Sequence, residues 1–196
     1  MTSPDWDEWA RRQWTQRPPA PIVPVAAAAR RRDLRGRRII VGLPGLGWRA
    51  DLRADDPVVQ ASRTYVPVLS EHEWYRAEAE QIEVFAPLMP IERVWLEHID
   101  PSAVDSTVER LVSLDAPPRR DPTQIRDVPT VTGRRLVRMN DEGAEQRDLR
   151  AVTEPYTGAG GDICLRVAPE LEWYRWVWSG HAPMTMEVPV HLLWVE

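Results

Sequence analysis

The tetrapeptide Glu73-Trp74-Tyr75-Arg76 returns as Glu172-Trp173-Tyr174-Arg175, 99 residues later. Beyond each copy a second shared block follows at the same separation, Pro90-Ile91-x-x-Val94-Trp95-Leu96-Glu97 and Pro189-Val190-x-x-Leu193-Trp194-Val195-Glu196. Upstream, Gly36-Arg37-Arg38-Ile39-Ile40 recurs as Gly133-Arg134-Arg135-Leu136-Val137, and Asp51-Leu52-Arg53-Ala54 as Asp148-Leu149-Arg150-Ala151, both 97 residues apart. A repeat of this reach restricts the fold more than any other feature, because whatever the first half forms the second is expected to form too. The change in separation, between Ala54 and Glu73, predicts a small loop insertion in one copy.

The helix signals lie outside the repeated blocks. Ser3-Pro4 followed by Asp5, Asp7 and Glu8 combines an N-cap hydroxyl, proline at the first helical position and acids in the first turn, predicting a helix over 4–15. Asp100-Pro101 repeats the cap-and-proline pair, and Val104, Val108, Leu111 and Val112 follow at helical spacing. Pro18-Pro19 and Pro117-Pro118 end these two segments and lead into extended linkers. The repeated aromatic block reads instead as strand: Leu171 to Trp178 runs to a turn at Ser179-Gly180 and returns as Met186 to Val195, with Val188, Val190, Leu192 and Trp194 alternating onto one side. In the first copy Ala77-Glu78-Ala79-Glu80-Gln81 is helix-prone and weakens that strand.

The predicted fold is therefore α+β, a tandem duplication of a small β-rich unit with one helix per copy, packed as a pseudo-dimer. The expected divisions are 1–35 (helix and proline-rich linker), 36–97 (first unit), 98–132 (second helix and linker) and 133–196 (second unit).

Composition removes several function classes. The chain has 25 Arg and no Lys, and 10 Trp against one Phe, with a formal charge of −5. That skew is a composition bias, and the acids outnumber arginines only in the second half, so the basic footprint of a dedicated nucleic-acid binder is missing. A single cysteine, Cys164, forms no disulfide within one chain and no multi-thiolate metal site. The apolar run Ala20 to Ala29 is far shorter than the ~20 residues of a membrane span, and acids precede it where a signal peptide needs cations. A soluble, cytoplasmic protein without membrane contact is expected.

Two stretches invite a phosphate reading. Arg30, Arg31 and Arg32 open a run of six arginines in nine positions, and Gly42, Gly45 and Gly47 form a glycine-rich turn directly after a strand. The spacing G-x-x-G-x-G matches neither the dinucleotide fingerprint nor the phosphate-binding loop, whose lysine the chain lacks. No His-x-x-x-His pair and no G-x-S-x-G elbow occurs, so no catalytic, metal or cofactor residue is assigned.

The remaining candidate contacts are aromatic: Trp74, Tyr75 and Arg76 in one copy, and Trp173, Tyr174, Arg175, Trp176 and Trp178 in the other. A Trp/Tyr pair beside Arg and Glu suits stacking on a sugar or base. It equally suits packing in a unit of about 98 residues that needs bulky side chains to bury enough surface. The leading expectation is a non-catalytic binding or assembly protein that contacts another protein or a second copy of itself. A sugar or nucleotide module using the aromatic strands is the first alternative, and a small enzyme using the Gly42 to Gly47 turn the second. Nucleic acid on the Arg cluster is a lesser alternative partner, and the N-terminal Trp helix with its linker is a candidate docking arm.

Overall fold

The computed structural model describes Trp6 and residues 17–29, 33–104, 116–140 and 142–196. Among the described residues it is an α+β protein with two seven-stranded antiparallel sheets and a ten-residue helix in each half, Glu71–Glu80 and Glu170–Ser179. The chain divides into two compact units, one of Pro21–Arg120 and one of Met1–Ala20 with Asp121–Glu196. They are called the first and second unit below. No helix among the described residues is long and apolar enough to cross a membrane.

The first unit contains β1 (Ile22–Ala26), β2 (Arg38–Leu43), β3 (Gly47–Ala54), β4 (Val58–Gln60), β5 (Arg63–Ser70), α1 (Glu71–Glu80), β6 (Leu88–Pro90) and β7 (Val94–Ile99). Its sheet order is β1-β7-β2-β3-β5-β4, and β6 also pairs with β5. The C-terminal half of β5 pairs with β3, and its N-terminal half lies between β4 and β6. Pro67 sits at this change of partner, in agreement with the edge or bend that a strand proline predicts. One face of the sheet packs Ile39, Val41, Leu52, Ala54, Val66, Val68, Val94 and Leu96 into a core with Leu34 and Ile91.

The second unit runs through the same order: β8 (Thr123–Gln124), β9 (Arg135–Met139), β10 (Glu145–Ala151), β11 (Tyr156–Thr157), β12 (Ile163–Pro169), α2 (Glu170–Ser179), β13 (Met186–Pro189) and β14 (Leu193–Val195). Its core is Leu136, Leu149, Ala151, Ile163, Leu165, Val167, Val188, Val190, Leu193 and Val195, with Trp6 packed against it. Three residues join β3 to β4 and four join β10 to β11, and the β4–β5 turn is shorter than the β11–β12 turn. The change in repeat separation is thus taken up on both sides of the edge strand.

Several expectations are corrected. The repeated Glu-Trp-Tyr-Arg lies on helices α1 and α2, not on strands. Local chemistry overrides aromatic strand propensity: Glu71, Glu73, Glu170 and Glu172 place acids in the first turns, where the helix dipole favours them. Ser70 and Glu73 form a reciprocal capping box. Gly180, read as a hairpin turn, is the left-handed cap that ends α2 (φ 75°). Val188 and Trp194 do not share a face, because a 3-10 turn at Val190–Leu192 shifts the phase and puts Leu193 and Val195 in the core. The extended segment 22–26, expected as linker, is strand β1, tolerating Pro24 because it is an edge strand. Asp100 caps a 3-10 turn at Pro101–Ala103 as its sequence predicts, accepting from the Ser102 amide. The helix predicted over 4–15, apart from Trp6, and the stripe Val108, Leu111 and Val112 lie outside the described residues.

The β4–β5 turn holds Ala61 (φ 46°) and Ser62 (φ 65°) in the left-handed region, as a two-residue hairpin of this hand requires. Neither residue favours it. Replacing Ser62 with Gly should raise stability by about 1 kcal/mol in urea melts with an unchanged m-value. Glu73 is held below the usual carboxylate range, chiefly by the Ser70 hydroxyl. Because its folded pKa is depressed, the cap stabilises above the unfolded value near 4.3 and loses this as pH falls through the folded value. Ser70→Ala should therefore cost about 1 kcal/mol at pH 7 and measurably less at pH 3.

Candidate functional site

Each helix begins with a glutamate that the fold takes wholly out of water, and the repeated residues meet around it. In the second unit the Glu170 side chain is 0% exposed and its Oε1 stands 2.8 Å from Arg150 Nε and 3.8 Å from Arg135 Nε. Arg150 also donates to the Gly133 carbonyl at 2.9 Å and the Tyr174 hydroxyl at 2.7 Å. The first unit repeats this arrangement. Glu71 Oε1 is 3.1 Å from Arg38 Nε and 3.4 Å from Arg53 Nε, and Arg53 donates to the Gly36 carbonyl and the Tyr75 hydroxyl at 2.8 and 2.7 Å. Arg38 and Arg53 are cross-strand partners on β2 and β3, so both guanidinium groups reach the side of the sheet that carries the helix.

This cluster accounts for five positions of the repeat, Gly36, Arg38, Arg53, Trp74 and Tyr75 with their counterparts in the second unit. Gly36 and Gly133 have φ of 73° and 78°, and a Cβ there would lie 3.3 and 3.4 Å from Trp74 and Trp173. Asp51 and Asp148 adopt φ of 57° and 61°, a conformation that aspartate tolerates and most residues do not. Leu52 and Leu149 enter the cores. Arg76 and Arg175 instead point outward, to Glu80 and Glu172. Trp74, Tyr75, Trp173 and Tyr174 are thus engaged with glycine and arginine inside each unit. On α2, Trp176 and Trp178 are half-buried beside exposed Val177.

The other sequence candidates fall elsewhere. Gly42 and Gly47 belong to β2 and β3, and Gly45 lies in the hairpin turn between them, so these amides do not head a helix. Arg30, Arg31 and Arg32 lie outside the described residues. The Cys164 thiol is pushed up by burial, then by Glu187 and Asp162, which works against a thiolate nucleophile.

A further surface emerges from the strand register. Opposed residues of antiparallel neighbours share a face, and Val58↔Tyr65↔Pro90 and Pro67↔Leu88 are opposed on β4, β5 and β6. The intervening set includes Val66 and Met89, which pack in the core, so Val58, Tyr65, Pro67, Leu88 and Pro90 form the opposite, outer face. Val58 is 36% exposed and Leu88 39%, and Phe85, three residues before Leu88, is 89% exposed. Tyr156↔Cys164↔Pro189 and Arg166↔Glu187 hold the matching positions in the second unit. There the Tyr156 hydroxyl donates to Glu187 and the Arg166 guanidinium lies 6.0 Å from the Tyr156 ring centre. Burial, then the Glu187 hydrogen bond, raises the Tyr156 phenol.

Sequence reasoning missed both Glu71/Glu170 and this strip. The glutamates had a signal, since they recur 99 residues apart, two positions before the loudest block. The strip had a weaker one, the alternation Arg63-x-Tyr65-x-Pro67 that Arg63 opens with a charge. Comparison with protein-family models, with curated proteins and with solved structures gives no match.

Replacing Arg150 with Met should cost about 3–5 kcal/mol, because it removes the nearer guanidinium from a carboxylate with no access to water. Tyr174→Phe removes one hydrogen bond to a charged donor and should cost about 1.5–3 kcal/mol. Chemical denaturation of the two variants checks the order.

Proposed function

We propose that the protein is a non-catalytic binding or assembly protein acting through protein–protein contacts, and that the outer face of β4, β5 and β6 in the first unit is its contact surface. The observation that carries this reading is the difference between matched positions. Arg166 and Glu187, exposed and paired in register, correspond to Pro67 and Leu88, and the Tyr156 that bonds Glu187 corresponds to Val58. Both units tolerate this face as part of the fold, and only the first keeps it apolar. A contiguous apolar face left in water is a cost that an interaction removes. The repeated sequence blocks and the shared order of elements support an origin by tandem duplication, after which the copies diverged in surface and kept the buried cluster.

The repeated Trp and Tyr residues contribute structure to this reading and no stacking platform, since arginine and glycine already hold them. The contact therefore rests on aliphatic side chains and Tyr65.

The reading is tested by co-purification with tagged full-length chain from cells that naturally make it. Leu88→Glu should lose proteins that the wild type and Val177→Glu retain, with circular dichroism unchanged in all three. An identical set of retained proteins for Leu88→Glu counts against the face.

A further inference from the structure

The geometry points to a second copy of this chain as the occupant of that face, paired face to face across a two-fold axis perpendicular to the strands; this rests on the reading of the face as a protein contact. The argument comes from the charges at the ends of the apolar strip. At one end, Gln60 and Arg63 flank the β4–β5 turn, and Arg63 is exposed and in no ion pair among the described residues. At the other end, the Asp55 amide donates to the Pro67 carbonyl, which fixes Asp55 and Asp56 beside Pro67. Asp55 is 3.5 Å from Arg35, and Asp56 is exposed just before Pro57-Val58. Between the ends run Tyr65 and Pro67 with their partners Val58, Pro90 and Leu88. Four residue steps of strand lead from Arg63 to Pro67, about 13 Å.

A strip with a cation at one end, an acid at the other and apolar side chains between is complementary to itself when reversed. Two sheets stack face to face about 10 Å apart with strand directions within about 30°. Of the two-fold axes that lie between stacked sheets, one parallel to the strands would set Arg63 over Arg63 and Asp56 over Asp56. One perpendicular to the strands reverses the second copy, and each Arg63 then meets the partner's Asp56, twice by symmetry. Tyr65, Val58 and Pro90 of one copy then meet the same residues of the other, and Leu88 and Pro67 lie over the end of the strip that Arg63 marks. The second unit does not offer such a face, because Arg166 and Glu187 stand at its centre. Closed pairing is expected in place of an open chain of molecules. The strip holds far fewer than the roughly 20–30 residues a side of a standard interface, which points to a micromolar dissociation constant.

Sedimentation equilibrium of the full chain tests this. The wild type should dimerise in the micromolar range. The double variant Pro67→Arg with Leu88→Glu introduces the pair that the second unit carries at the matching positions, so it should fold, with unchanged circular dichroism, and remain monomeric. Asp56→Arg and Arg63→Asp should each weaken dimerisation roughly threefold to tenfold, and their combination should restore it. A wild type that stays monomeric to about 100 µM, or a Pro67→Arg/Leu88→Glu variant that dimerises as the wild type does, overturns the inference. If the wild type is monomeric, co-purification separates the two readings. Proteins lost by the double variant leave the face a contact for another chain, and an unchanged set ends both.

Discussion

A carboxylate buried without a compensating charge is too costly for a domain of this size to carry. Glu71 and Glu170 are buried carboxylates, each compensated by two arginines, and the architecture of each unit follows from what they need. Each must begin a helix, each helix must lie on the sheet face where two strands present arginines, and those strands must be aligned so that both arginines arrive at one level. The helix in turn delivers the tyrosine that accepts from one arginine and the tryptophan that covers the preceding glycine. Register and helix docking are therefore one event. A slip of one residue between β2 and β3 would send a guanidinium into the core and leave the glutamate without its partner.

This dependence explains why the repeat is heard so clearly in sequence. Several of the recurring letters belong to one cluster, although they are scattered over β2, β3, the helix and the turn before β2. Their distribution made the internal repeat legible while hiding its meaning, since Glu73, Trp74, Tyr75 and Arg76 are adjacent in the chain but have separate tasks. Glu73 caps the helix, Trp74 covers Gly36, Tyr75 accepts from Arg53, and Arg76 faces water. A periodicity argument cannot separate them over four residues. The helix-prone stretch after Arg76 was the better guide, and the repeat register, which argued for a strand, was misled by Trp176 and Trp178.

The core strands were legible because β2 and β5 are rich in β-branched residues and bounded by turn residues. The 3-10 turns at Ile91–Arg93 and Val190–Leu192 were not, since each follows a proline inside what reads as one uninterrupted alternating strand. The outer strip was hidden for another reason. Its members come from β4, β5 and β6, and only the register shows that Val58, Tyr65, Pro67, Leu88 and Pro90 face one way. In the second unit the same register assembles Tyr156, Arg166 and Glu187, so a difference that is diffuse in sequence becomes a single change of surface chemistry in space.

Arg53 and Arg150 each serve three acceptors of different kinds: a carboxylate, a backbone carbonyl and a phenol. A planar guanidinium with donors in a fixed fork can address all three at once. An ammonium on a flexible stem carries the same charge to one point. The usual exchange of arginine for lysine, harmless on most protein surfaces, is thus closed at these two positions. Point changes that preserve charge would be expected to accumulate at Arg49, Arg63 or Arg175 and to be eliminated at Arg53 and Arg150, so the chain's lack of lysine reads as bias at the surface and as necessity beneath the helices.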